Sequence, residues 1–244
     1  MIISHKHRFI YLKTQKTGST SLELALSKFC GPDDAITTLD PADEAIRERH
    51  GLRRPQNYTM EMKDWRFLNR LSKYDIAKLI YYRRMPKKYH AHMPAREIRE
   101  NIGDEIWNSY LKFTIVRNPY DRALSLYYFN VNRRKPANHF RDFKHFMRLR
   151  ATDIYWNWEI YTENDAPVVD RVVRYENFGP DVDAIGAELG LEESLSQLTT
   201  ELQAKSGFRN DDHRKPKDLD TGERAMLYHL CRPEIDAFGY TPDA

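Results

Sequence analysis

Cysteine and glycine are both scarce in this chain, which has 2 Cys and 10 Gly among its 244 residues. Cys30 and Cys231 are too few and too far apart for a disulfide framework, and neither has the neighbours of a metal-binding motif. We predict that both are buried thiols. Long apolar runs are absent as well, since no stretch approaches the roughly 20 residues of a membrane span.

The first residues do not resemble a secretory leader. Lys6 and Arg8 interrupt them, and no apolar signal-peptide core follows. We therefore expect a cytoplasmic protein in a reducing compartment, without a membrane partner.

A large excess of charge of one sign is also missing. The 39 Lys and Arg residues nearly balance 36 Asp and Glu, which leaves a formal net charge of +3. So small an excess does not by itself indicate nucleic-acid binding, and no nucleic-acid-binding motif is present. We expect no nucleic-acid partner, and the sequence leaves the oligomeric state open.

Strand-like and helical segments alternate along the chain. The β-rich segments at residues 9–12, 112–116 and 168–175 are separated by long stretches with helical spacing. No internal repeat, low-complexity segment or linker divides the chain. We predict an α/β fold with one domain over residues 1–244, in which helices flank a central parallel sheet.

A polar turn and a helix follow the first strand-like segment. A strand, a glycine-containing turn and a helix aim backbone N–H groups and the positive end of a helix dipole at one point. A lysine there adds a full charge, and hydroxyl side chains add donors and suit helix capping. Taken alone, this turn has two interpretations: an ordinary strand-to-helix connection with a good N-cap, or a phosphate-binding loop made of Lys16, Thr17, Gly18, Ser19, Thr20 and Ser21. It is not the P-loop of nucleotide triphosphatases, because its lysine precedes the glycine and no upstream glycine opens it.

A second motif, VRNPYDRALS, occupies residues 116–125. It places Arg117 at the carboxyl end of a strand and Ser125 about two turns along the following helix. Ligands of open α/β sheets bind at the carboxyl ends of strands, and an arginine fork with a hydroxyl can hold a phosphate. If the two strands are neighbours, the two motifs predict one ligand with two separate phosphates.

The ordered pair of motifs resembles the PAPS-dependent sulfotransferases, and within them the carbohydrate sulfotransferase branch, sulfotransferase family 2. Residues 92–95, with a His-x-x-Ala pattern, residues 174–178 (RYENF) and the closing Phe-Gly-Tyr at 238–240 add to the likeness, which runs from about residue 9 to 240. Gln15 departs from it, because many relatives have proline before the lysine. The stretch 153–165 also departs from the substrate-binding segments of the glycan enzymes.

The resemblance implies a P-loop-like nucleotide-binding fold and a reaction. The loop at residues 16–21 would bind the 5′-phosphosulfate of PAPS (3′-phosphoadenosine 5′-phosphosulfate), and Arg117 with Ser125 would bind its 3′-phosphate. The sulfuryl group would pass in line to an acceptor hydroxyl on a carbohydrate or small molecule, without a metal. Lys16 would stabilise the leaving phosphate, and His92 falls where glycan-acting members carry the general base, with His90 as the second candidate. Arg209 lies in a polar loop at residues 207–220, for which two interpretations stay open: a loop that closes over the nucleotide, or a mobile loop in solvent.

Two other functions remain open at this point. A kinase-like phosphoryl transferase could use the same phosphate-binding loop. Against this function, the sequence lacks the usual Gly-Lys order and an obvious Mg²⁺-binding aspartate after a strand. A non-catalytic anion or nucleic-acid binding module could use the basic stretches near residues 78–99 and 133–150.

Overall fold

The computed structural model describes residues 1–61, 73, 80, 85–132, 139–202 and 213–243. Their main sheet has five strands in the order β3-β1-β2-β4-β7. These strands are β1 (Ile2–Ser4), β2 (Phe9–Leu12), β3 (Ala35–Ile36), β4 (Leu111–Val116) and β7 (Arg171–Arg174). A separate two-stranded sheet pairs β5 (Thr162–Glu163) with β6 (Ala166–Pro167).

The helices connect these strands and cover the sheet. In chain order they are α1 (Ser19–Ser27), α2 (Pro41–Arg49), α3 (Ala95–Ile102), α4 (Asp104–Ser109), α5 (Pro119–Asn132), α6 (Phe143–Leu149), α7 (Ala151–Tyr161), α8 (Phe178–Glu188), α9 (Leu195–Glu201) and α10 (Thr221–Phe238).

The three strands predicted from the sequence form the parallel part of the sheet. β2 pairs with β4 and β4 pairs with β7, both in parallel. The predicted α/β fold with a central parallel sheet is therefore confirmed. β2 and β4 end side by side, with Leu12 opposite Thr114, so the residues that follow them meet at one edge.

The sheet is not parallel throughout. β1 pairs antiparallel with both β2 and β3 on one side of the parallel strands. Sequence analysis missed these strands because segments of two or three residues are too short to show a period.

Alternating side chains of the central strands divide the core into two layers. Phe9 and Tyr11 of β2 pack in a cluster with residues of α1, α8 and α9. Ile10 and Leu12 point the opposite way, into a cluster with residues of α3 and α7. Helices thus cover both faces, because successive side chains of a strand point to opposite sides.

The remaining core lies among helices. A third cluster joins buried residues of α5, α6, α7 and α10. Cys30 and Cys231 are free and buried, as predicted. None of the helices in the described ranges is long and apolar enough to cross a membrane.

Candidate active site

The loop between β2 and α1 adopts a tightly curved backbone. Lys16 has φ of 59° and Gly18 has φ of 73°, so both lie in the left-handed region. A Cβ added to Gly18 would lie 3.4 Å from Cε2 of Tyr175. The left-handed φ and the nearby aromatic ring together favour glycine at this position.

The hydroxyl side chains of the loop have two separate roles. Ser19 donates to the carbonyl of Thr14 at 2.6 Å, and the hydroxyls of Thr17 and Thr14 lie 2.9 Å apart. Ser19 and Thr17 are buried and hold the loop together, whereas Thr20 and Ser21 are half-buried on the first turn of α1.

The prediction that a hydroxyl caps α1 is wrong. Gly18 occupies the N-cap, and no side chain accepts a hydrogen bond there. The first turn of a helix carries N–H groups without partners inside the helix. An uncapped helix start is suited to an anion that accepts those hydrogen bonds.

Arg117 joins the second motif to this loop. Its Nη1 donates to the carbonyl of Lys16 at 2.8 Å, and its Nε donates to Oδ2 of Asp121 at 2.8 Å. Nη2 also donates to that oxygen, and the guanidinium carbon lies 4.0 Å from the centre of the Tyr175 ring. The two motifs predicted to share a sheet edge are thus in direct contact.

The helix of the second motif also approaches Lys16. The Nζ of Lys16 lies 4.1 Å from the centre of the Phe129 ring. Phe129 comes one turn after Ser125 on α5, and residues four apart lie on the same face of a helix. Ser125 is half-buried on that face.

His92 contacts the strand end that leads into the loop. Its Nδ1 lies 2.9 Å from the carbonyl oxygen of Lys13. A carbonyl oxygen only accepts hydrogen bonds, so Nδ1 carries the proton and neutral His92 keeps a lone pair on Nε2. His92 also has φ of 61°, a left-handed conformation that is uncommon outside glycine.

The surroundings of His92 favour its neutral form. Burial, followed by the charge of Lys13, lowers its pKa from 6.5 to about 4. The Lys13 ammonium lies 2.7 Å from the carboxylate of the fully buried Glu23. Burial alone would raise the pKa of Glu23, but the nearby positive charges of Lys13 and the amino terminus lower it to about 2. Lys13, whose carbonyl binds His92, thus forms a buried ion pair with Glu23 through its side chain.

One other predicted site residue, His90, and Glu176 of the RYENF segment are less closely connected with the loop. His90 is exposed, its Nδ1 lies 2.9 Å from the carbonyl oxygen of Ala91, and its Nε2 lies 3.8 Å from Glu97. Glu176 accepts the backbone N–H of Asn118 at 2.6 Å and the hydroxyl of Tyr240 at 3.4 Å. Arg209 lies outside the described residues.

Three residues that shape the site were not predicted from the sequence. Tyr175 packs against both Gly18 and Arg117, and the likeness at residues 174–178 was the available signal. Asp121 holds Arg117 at an i,i+4 spacing that is visible in the sequence. Asn157 contacts the loop from 142 residues away, which no local pattern reveals.

Comparison with known proteins places these observations in a family. A family model described as the sulfotransferase family matches residues 1–241. An uncharacterized protein of Archaeoglobus fulgidus is 30% identical over 106 residues, which is 42% of this chain and 87% of that protein.

One solved structure with a similar fold is that of mouse sulfotransferase SULT7A1 complexed with PAP. It is 16% identical to this chain, with a TM-score of 0.47, and the match covers 93% of this chain and 84% of the mouse chain.

Proposed function

The chain belongs to the sulfotransferase family, and we propose that it transfers a sulfuryl group from PAPS to an acceptor hydroxyl on a carbohydrate. The observation that carries this proposal is the hydrogen bond of 2.8 Å between Arg117 and the carbonyl of Lys16. It brings two motifs that are 101 residues apart to one sheet edge, where a nucleotide with two separate phosphates can contact both.

The loop is suited to the 5′ end of the donor. The uncapped start of α1 offers backbone N–H groups, and the half-buried Thr20 and Ser21 offer hydroxyls on the same turn. Lys16 supplies the positive charge. Sulfuryl transfer leaves negative charge on the bridging oxygen, and preorganised donors aimed at developing charge are a major source of catalysis.

Arg117 is suited to the 3′-phosphate, and the family resemblance assigns Ser125 to the same phosphate. A guanidinium has five N–H donors, and the bonds to Lys16 and Asp121 use three of them. The other two have no protein partner among the described residues and can donate to a phosphate. Asp121 and the Tyr175 ring keep the guanidinium in place while it does so.

We assign His92 as the general base that accepts the proton of the acceptor hydroxyl. With its proton on Nδ1 and directed at Lys13, its Nε2 can accept the proton of an acceptor hydroxyl. Its low pKa keeps this nitrogen unprotonated at neutral pH. His90, which is exposed and lies near Glu97, remains the second candidate.

The carbohydrate acceptor rests on the likeness to the glycan-acting branch, where a histidine occupies the position of His92. The departure of residues 153–165 from that branch leaves a small-molecule alcohol as the other acceptor class. An acceptor screen with a labelled sulfuryl donor distinguishes the two. Transfer to sugars and not to simple alcohols is the expected result, and the reverse would contradict a carbohydrate acceptor.

Thermal unfolding with different nucleotides tests the donor. We expect adenosine 3′,5′-bisphosphate (PAP) to raise the unfolding temperature without added metal, because binding to the native state stabilises it by mass action. Stabilisation by ATP with Mg²⁺ alone would indicate a phosphoryl transferase. Equal shifts with unrelated polyanions would indicate a non-catalytic anion-binding module.

A further inference from the structure

Gln15, the residue before the phosphate-binding loop, is held by a side chain from outside both motifs. The side-chain oxygen of Asn157, on α7, accepts the backbone N–H of Gln15 at 2.7 Å. The side-chain nitrogen of Asn157 donates to the backbone carbonyl of Gln15 at 2.8 Å. One amide thus engages both polar backbone groups of the residue that precedes Lys16, much as a neighbouring strand would.

Asn157 is placed to hold this geometry firmly. Asn157 is 2% exposed, and Trp158, the next residue of the same helix, lies in the core. The amide oxygen and the amide nitrogen of Asn157 both bind the backbone of Gln15. The orientation of the Asn157 side chain and the position of Gln15 therefore fix each other. A buried side chain packed on a helix positions a ligand-binding loop more accurately than a mobile surface group does.

The adjacent loop residues are anchored to other elements. The Thr14 hydroxyl donates to the carbonyl of Ile115 on β4 at 2.5 Å, and the carbonyl of Lys16 accepts from Arg117. The backbone of Gln15 itself is held by its two hydrogen bonds to Asn157. Lys16 then has a left-handed φ, which persists when surrounding structure restrains it.

We propose that Asn157 is a positioning residue of sulfuryl transfer, which clamps Gln15 so that Lys16 and the start of α1 face the 5′-phosphosulfate. This inference rests on the proposed function. It also gives Asn157, one residue of the stretch 153–165, a role in the donor site, where the sequence alone predicted a difference in the acceptor site.

The test compares two nucleotides that differ only at the 5′ end. Calorimetry measures the affinity of PAP and of adenosine 3′-monophosphate for the wild type and for Asn157→Ala. The clamp predicts that Asn157→Ala lowers the affinity for PAP about tenfold or more, because a loop released from Asn157 must be reordered when the nucleotide binds. The affinity for adenosine 3′-monophosphate should change less than about twofold, and kcat for sulfuryl transfer should fall more than the KM of the acceptor rises.

Two further variants separate positioning from folding. Thr162→Ala removes a hydroxyl that donates to the carbonyl of Trp158 at 2.7 Å, at the end of the same helix, and should leave both affinities and kcat unchanged. If Asn157→Ala fails to fold, Asn157→Asp keeps the shape and loses the bond to the Gln15 carbonyl, so the same selective loss is expected.

The outcomes are distinguishable. A folded Asn157 variant that binds both nucleotides as the wild type does, with unchanged kcat, overturns the clamp. A wild type that neither prefers PAP to adenosine 3′-monophosphate nor transfers sulfuryl groups overturns the proposed function instead.

Discussion

At the scale of single residues, His92 combines three features that support catalysis. Its tautomer is set by the carbonyl of Lys13, its ring is desolvated, and its backbone is in the left-handed region. Uncommon backbone conformations cluster at functional sites, where surrounding structure maintains them. The sequence named His92 first and His90 second, and the structure places His92 against the loop and His90 in solvent.

Replacing His92 tests its role as base. His92→Asn keeps a residue that tolerates the left-handed region but cannot accept a proton. We expect kcat to fall by about 10² to 10⁴-fold, with an almost unchanged affinity for PAP by calorimetry. His90→Ala is the control and should retain near wild-type turnover. Equal activity of His92→Asn and wild type would remove His92 from the mechanism.

The pH dependence of kcat/KM tests the environment of that histidine. Because its pKa is lowered to about 4, His92 stays neutral over the whole range above that value. We therefore expect no loss of kcat/KM between pH 7 and about 5, and a decline as the pH approaches 4. The same shift means that the folded state loses stability as the pH falls from 6.5 towards 4, since the unfolded chain binds the proton first. A halving of kcat/KM near pH 6.5 would show that the base has an ordinary pKa.

At the scale of elements, the strand–loop–helix unit from β2 to α1 is the part that sequence predicts best. The apolar strand, the glycine and the following helix are all local patterns, and each was found at the expected place. The edge strands β1 and β3 were missed because they are short, and the clamp by Asn157 was missed because it is long-range. The prediction of a hydroxyl cap failed because the helix begins at Ser19, which leaves Gly18, a residue without a side chain, at the N-cap.

The glycine of this unit gives a test with a matched control. Gly18→Ala introduces a side chain at φ of 73° and at 3.4 Å from Tyr175, whereas Gly190→Ala has a similar φ of 66° and no atom within 4 Å. Each should cost about 1 kcal/mol of unfolding free energy in urea titration. Gly18→Ala should also weaken PAP binding, and Gly190→Ala should not. Unaltered PAP affinity in Gly18→Ala would mean that the loop backbone does not approach the nucleotide.

At the scale of the whole molecule, a buried ion pair joins the helices behind the site. Arg122 of α5 donates to Glu234 of α10 at 2.6 Å and to the carbonyl of Ile154 on α7 at 3.1 Å. The hydroxyl of Tyr161 donates to the same carboxylate at 3.0 Å. Because α5 also carries Ser125 and follows Arg117, this network holds the helix of the second motif against the rest of the protein. The sequence did not reveal it, since Arg122 and Glu234 are 112 residues apart.

Breaking this pair should cost more than breaking an exposed one on the same helix. Glu234→Ala leaves the buried Arg122 without its carboxylate and should cost about 3–5 kcal/mol of unfolding free energy. Asp236→Ala removes a pair with Arg232 whose side chains are 52% and 68% exposed, and should cost at most about 0.5 kcal/mol. Urea titration measures both. Similar costs for the two variants would contradict a structural role for the buried network.

The central claim is that Lys16 and Arg117 contact opposite ends of one doubly phosphorylated nucleotide. Calorimetry of Lys16→Ala and Arg117→Ala with adenosine 5′-monophosphate and adenosine 3′-monophosphate tests it most directly. The claim predicts that Lys16→Ala weakens binding of the 5′-phosphate compound alone, that Arg117→Ala weakens binding of the 3′-phosphate compound alone, and that both weaken binding of PAP. If both variants lose affinity for the same monophosphate and keep it for the other, the two motifs serve one phosphate and the account is contradicted.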